Sequence, residues 1–147
     1  MGRPSPLLSR LEAVGAWGIG PFDNDGAGDA LAMLAHLPSP ERADRIRDWL
    51  TLPDEDYLEV DTGQIVVAMA ALLAAALGAS TEHDAYLAAL IADGSLPTDA
   101  STRQLAVAAL TRIAGDDSEW HELWADAGEL TAVLAVNERL AEVLTAR

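Results

Sequence analysis

Between residues 26 and 145, apolar residues recur at three- and four-residue spacing, and the runs are cut at short intervals by Gly, Pro, Asp or Ser. That period gives helix, because 3.6 residues per turn bring positions i, i+3, i+4 and i+7 onto one face. The first predicted helix spans about Gly26 to Leu37, with Ala27, Leu31, Leu34 and Leu37 on one side and Pro38 as its stop. A second opens at Ser39-Pro40, a cap followed by proline at the first helical position, and turns Ala43, Ile46, Trp49 and Leu50 inward. Arg42, Asp44, Arg45, Arg47 and Asp48 then fall mostly on its wet face.

An acidic connector, Pro53 to Asp61, carries Tyr57-Leu58-Glu59. Asp61 is expected to cap the third helix, Gln64 to complete a capping box, and Gly78 to end it. The uncharged run from Thr62 to Thr81 has the ~20 residues that could span a bilayer. It is dominated by Ala, contains Gly63, Gln64, Gly78 and Ser80, and lacks flanking basic and aromatic anchors, so it reads as a central buried helix. A fourth helix follows Thr81, with Tyr86, Leu87, Leu90 and Ile91 on its face, and stops at Asp93-Gly94. The fifth, Asp99 to Ala114, buries Leu105, Ala109, Leu110 and Ile113 and stops at Gly115. Ser118 caps a short sixth carrying Trp120, Leu123, Trp124 and Ala127, and the last begins near Leu130 with Val133, Leu134, Leu140 and Leu144 inward.

The predicted fold is therefore all-α: an irregular antiparallel bundle of about six to seven helices, preceded by a glycine-rich N-terminal clasp. Residues 14–147 read as a single helical domain. Residues 1–13, with Pro4, Pro6, Ser5 and Ser9, read as a flexible extension or a mis-assigned start, since Val14 directly precedes the clasp. Only Ala16 to Phe22 offers a competing extended stretch.

Composition sharpens this picture. Half of the 147 residues are hydrophobic but only 5% are aromatic, so the core must be built from Ala, Leu, Val and Ile, and Ala and Leu are strong helix formers. The absence of Cys excludes disulfides, thiolate nucleophiles and Cys-ligated metals, and fits a cytoplasmic setting. No secretion signal is visible near the start. The formal charge is −15, with nine Lys+Arg against 24 Asp+Glu, and all the basic residues are Arg. Phosphate repulsion argues against nucleic acid and anionic membranes. A basic protein partner would be attracted, although the charge also serves plain solubility.

The part least explained by helix building is Gly15-Ala16-Trp17-Gly18-Ile19-Gly20-Pro21-Phe22-Asp23-Asn24-Asp25. Its glycines permit close approaches, Trp17, Ile19 and Phe22 can insert as anchors, and Asp23, Asn24 or Asp25 can cap the first helix. A clasp and cap is the plainest role. The sharper one makes Asp23, Asn24, Asp25 and Asp29 a cation or polar-ligand site, with Asp23 and Asp25 as metal ligands and Glu59 or Glu119 brought alongside. The spacing is not an EF-hand, because position twelve from Asp23 is Leu34 rather than Glu. No strand precedes the glycines and no Gly-Lys-Ser/Thr follows, so neither nucleotide motif applies. His36, His83 and His121 are isolated and read as surface or cap residues, and Trp120 and Trp124 share a face that reads as core.

At this Gly-Xaa-Trp-Gly-Xaa-Gly-Xaa-Phe-Asp-Asn-Asp opening the sequence resembles the bacterial domain-of-unknown-function family 4259. Tyr57-Leu58-Glu59, the apolar helix after Gln64, and Ser118-Glu119 followed by Leu123-Trp124 look like later family features, so the likeness runs from about Gly15 to Leu144. The sequence departs from it at Gln64, where an acidic residue is expected, and in a final helix without Trp. The resemblance implies no activity. Two functions are expected from the residues: a cytoplasmic binding or interaction module for a basic protein, with Trp17, Phe22, Asp23, Asn24, Asp25, Glu59 and Glu119 as candidate site, or a small metal-assisted hydrolase built on the carboxylates. No cofactor is expected.

Overall fold

The computed structural model describes residues 18–54, 56–79 and 85–146, with Ala85 and Tyr86 described by backbone alone. The expected extension, the Val14 start, Gly15 to Trp17, Thr81, His83 and the Tyr86 side chain lie outside the described residues. Seven helices follow in order: α1 (Asp25–His36), α2 (Ser39–Leu50), α3 (Val60–Ala76), α4 (Ala85–Asp93), α5 (Ala100–Ile113), α6 (Glu119–Asp126) and α7 (Leu130–Thr145). The described residues contain no strand; Leu58 and Ser118 form an isolated parallel bridge. Gly18 to Phe22 forms bends and a turn rather than an extended stretch.

The all-α reading holds, and α3 is the central element. Thirteen of its 17 residues are buried, and it packs against each of the other six helices. An apolar stripe cannot supply that many neighbours. Val66, Ala68, Met69, Ala70, Leu72, Leu73 and Ala74 are all fully inaccessible, so apolar residues occupy every side of the helix. Small Ala side chains let the surrounding helices approach closely, while each buried Leu contributes about 1.5–3 kcal/mol. Among the described residues, no helix is long and apolar enough to cross a membrane.

The helix ends differ from expectation in two places. Ser39 is the first residue of α2 rather than its cap; Pro38 holds the cap position without a side-chain bond, and the Ser39 hydroxyl donates to Asp93 Oδ2 at 3.0 Å. Likewise, α3 begins at Val60, one residue before Asp61, and its first amide is met from another helix: Val60 N donates to Glu119 Oε1 at 2.8 Å. Asp61 is exposed and Gln64 is buried against α1, so no capping box forms. Local sequence signals fail here because a distant side chain reaches the free amide first.

Arg42 also leaves the wet face assigned to it. Its side chain is only 13% exposed; Nε donates to Leu34 O at 2.8 Å and Nη2 to Ala35 O at 3.3 Å. These are carbonyls of the last turn of α1, where the free acceptors and the negative end of the helix dipole favour a cation. Arg103 does the same for α7, donating to Leu144 O at 2.9 Å, and His121 Nδ1 donates to Ala114 O beyond the end of α5 at 2.7 Å.

Candidate functional site

From Gly18 onward, the clasp is a tight turn folded onto one carboxylate. Asp23 N donates to Gly20 O at 3.1 Å, and Gly20 N donates back to Asp23 Oδ2 at 3.0 Å, with Pro21 presetting the turn between them. A Cβ on either Gly18 or Gly20 would lie 2.6 Å from Asp23 Oδ2, so both glycines are set by the close approach of that carboxylate. Phe22 packs against the core, whereas Ile19 is 41% exposed and does not insert.

Asn24, of the three polar residues, is the cap. It is buried, and its Oδ1 accepts from Ala27 N at 2.7 Å, a bond of the kind whose loss costs about 1 kcal/mol. Asp25 begins α1 and is exposed, as is Asp29 one turn on. Glu119 is engaged with Val60 N and Asp23 with Gly20 N, while Glu59 is exposed before α3. Asp23 and Glu119 are thus spent on separate backbone amides. The described residues bring together no group of three His, Asp or Glu that could hold a metal ion.

A second constellation lies where the acidic connector meets the start of α6. Leu58 N donates to Asp117 O at 2.9 Å and Glu119 N to Leu58 O at 2.8 Å, which stitches the connector to the 115–118 turn. Asp117 holds a left-handed φ of 57°, uncommon for a residue with a side chain, immediately before Ser118 caps α6 through His121 N. Arg112 closes the junction, donating to Asp56 O at 2.6 Å and Asp116 O at 3.2 Å. Around it Asp54, Asp56, Glu59 and Asp61 on one segment, and Asp116, Asp117 and Glu122 on the other, are exposed. Tyr57 stands among them, 50% exposed, its hydroxyl donating to Glu122 Oε2 at 2.6 Å.

Elsewhere, two carboxyls are held below the ordinary 3.8. Asp93 is lowered by hydrogen bonds from Ser95 and Ser39 and by Arg42; Asp99 is lowered by the Thr102 hydroxyl and amide and by Arg47. Both act as ties between helices. Trp120 and Trp124, 3% and 8% exposed, are core residues as their spacing suggested.

Sequence reading did not single out Asn137, although one signal was there. Val133, Leu140 and Leu144 are apolar at helical spacing from it, so a polar residue interrupts an otherwise aliphatic face. It is 6% exposed.

No curated protein and no solved structure shows a significant match to the chain. A family model does, over residues 15–135, from the clasp to the second turn of α7. The chain belongs to the family described as domain of unknown function DUF4259.

Proposed function

We propose that this chain is a cytoplasmic interaction module that docks a basic segment of a partner protein on the acidic face around the Leu58–Ser118 bridge. The observation that carries the reading is the division of charge at that junction. Seven exposed carboxylates flank it, while the adjoining cation, Arg112, is directed onto backbone carbonyls. A face left so negative accelerates encounter with a positive partner and selects against acidic ones. Tyr57 adds a half-exposed ring in the middle, the side-chain type that anchors interfaces and accepts a guanidinium over its face. The metal-assisted hydrolase has no comparable support, since Asp23 and Glu119 are tied to separate amides and the described residues bring no three candidate ligands together.

An oligoarginine peptide titrated calorimetrically into the intact chain at low ionic strength tests the reading. Binding is expected to weaken with salt and to fall by about tenfold in an Asp56→Lys/Glu59→Lys variant. An Asp48→Lys/Glu142→Lys variant, with the same change of charge on other exposed positions, should lose about twofold or less. Equal losses in the two variants, or no binding at low salt, would sink the proposal.

A further inference from the structure

We infer that the groove between α5 and α7 is a second, separate site, for a small uncharged molecule that is mostly apolar and carries an adjoining N–H donor and C=O acceptor, such as a primary amide or a lactam edge. Asn137 is the observation behind it. Its Oδ1 and Nδ2 are both buried and neither has a hydrogen-bond partner. A carboxamide in this condition costs stability that an aliphatic side chain on the same face would not. Its presence is explained if a ligand supplies the missing donor and acceptor.

The surroundings define that ligand. On one side of Asn137 lies a groove of about 300 Å³, lined by Val107, Leu110, Ala114, Leu134 and Ala141, with Glu138 beside them. This is the lower end of the size that holds small organic ligands, and apolar walls with a few polar groups are what such sites present. A second space of about 20 Å³, lined by Asn24 and Gln64 as well as Val67, Trp120 and Trp124, has room for roughly one water. Asn137 lines both. With no hydrogen bond to surrender, its side chain breaks none in turning between staggered rotamers toward the groove. The walls offer no cation to an anionic ligand, and Glu138 together with the net charge of −15 repels one. Desolvation in an apolar groove disfavours a fully charged cation as well. A neutral amide edge matches the Asn137 carboxamide in both directions.

Benzamide and toluene, of similar size and differing in the amide, are suitable probes by ¹H–¹⁵N correlation spectroscopy of the intact chain. Benzamide at millimolar concentration is expected to shift the Leu110, Leu134 and Asn137 amides, the Asn137 side-chain resonances included, and to bind at least about tenfold tighter than toluene. In Asn137→Leu, whose melting temperature should equal or exceed that of the parent, this preference should vanish or reverse. Ala141→Phe, which fills the groove and leaves Asn137 in place, should abolish the shifts for both probes. The inference is overturned if benzamide shifts none of these resonances. It is equally overturned if Asn137→Leu keeps the preference for benzamide, or if the Asn137 side chain shows contact with one bound water and remains unmoved by the probe. The acidic face is tested by an unrelated ligand, so either proposal can fail alone.

Discussion

A methyl group added at Gly63 would stand 2.5 Å from Trp120 Cβ and 2.7 Å from its Cγ, because α6 lays its indole directly on the backbone of α3. At Gly28, also inside a helix, the same methyl group would meet nothing within 4 Å. Helix propensity favours Ala over Gly by about 1 kcal/mol at both positions. Overpacking costs about 1–3 kcal/mol at Gly63, where the atom met first is the Trp120 Cβ, which cannot move without the α6 backbone. Gly28→Ala should therefore raise the urea midpoint, by about 0.5–1 kcal/mol of stability, and Gly63→Ala should lower it by up to about 2 kcal/mol. If both substitutions stabilise, the α3–α6 contact is looser than these distances imply. Nothing local distinguishes the two glycines in the sequence: each interrupts a helical period, and what separates them is a partner far along the chain. Asn24 was only partly legible for a related reason. Asp23, Asn24 and Asp25 are all competent caps, and the choice falls to Asn24 because the turn from Gly20 consumes the Asp23 carboxylate.

At the scale of the element, the period of apolar residues was enough to locate all seven helices, since each buries at least one i, i+3 or i+4 pair or sits against α3. Their termini were legible only where the cap is local, as at Ser118 and Asp99. They were illegible at the starts of α2 and α3, where Asp93 and Glu119 arrive from elsewhere. Asp99 combines both roles: Oδ2 accepts from Thr102 N at 3.1 Å at the start of α5, and Oδ1 pairs with Arg47 of α2 at 3.3 Å. Hydrogen bonds from the hydroxyl and amide of Thr102 and from Arg47 favour its ionised form, so its folded pKa lies below 3.8. A lowered folded pKa means that the stability contributed is complete above 3.8 and is lost as pH falls from there through the folded value. Asp99→Asn keeps an oxygen acceptor for the cap but removes the charge. The gap in stability between parent and variant should stay constant from neutral pH down to mildly acidic pH, then close below 3.8. Urea midpoints across this range measure it. A gap that closes well above 3.8, or widens below it, would remove Asp99 as the titrating tie.

The charge of the whole molecule was plain from composition, but its distribution was not, because counting arginines does not say where they point. Arg42, Arg103 and Arg112 are directed onto backbone carbonyls, two of them at helix C-termini. Arg42 and Arg103 neutralise dipole ends, Arg42 while also pairing with Asp93, so part of the positive charge is spent on carbonyls and the exterior stays strongly acidic. Self-repulsion of this kind destabilises the compact state. Added salt acts on two opposing contributions. It weakens exposed pairs such as Arg47–Asp44, separated by 3.7 Å, but such pairs contribute only about 0–1 kcal/mol each. It also screens repulsion among many carboxylates at once, as the Debye length contracts from about 30 Å near 0.01 M to about 8 Å near 0.15 M. The arginine bonds to carbonyls are short and partly buried, and respond less. Repulsion has the larger share, so the melting temperature should rise over this range of sodium chloride, by about 3 °C for each 1 kcal/mol of repulsion relieved in a chain of this size. A scanning-calorimetry series at neutral pH decides the sign. A melting temperature that falls with salt would mean that the few ion pairs outweigh the repulsion, and that the acidic exterior is less concentrated than the orientation of the arginines implies.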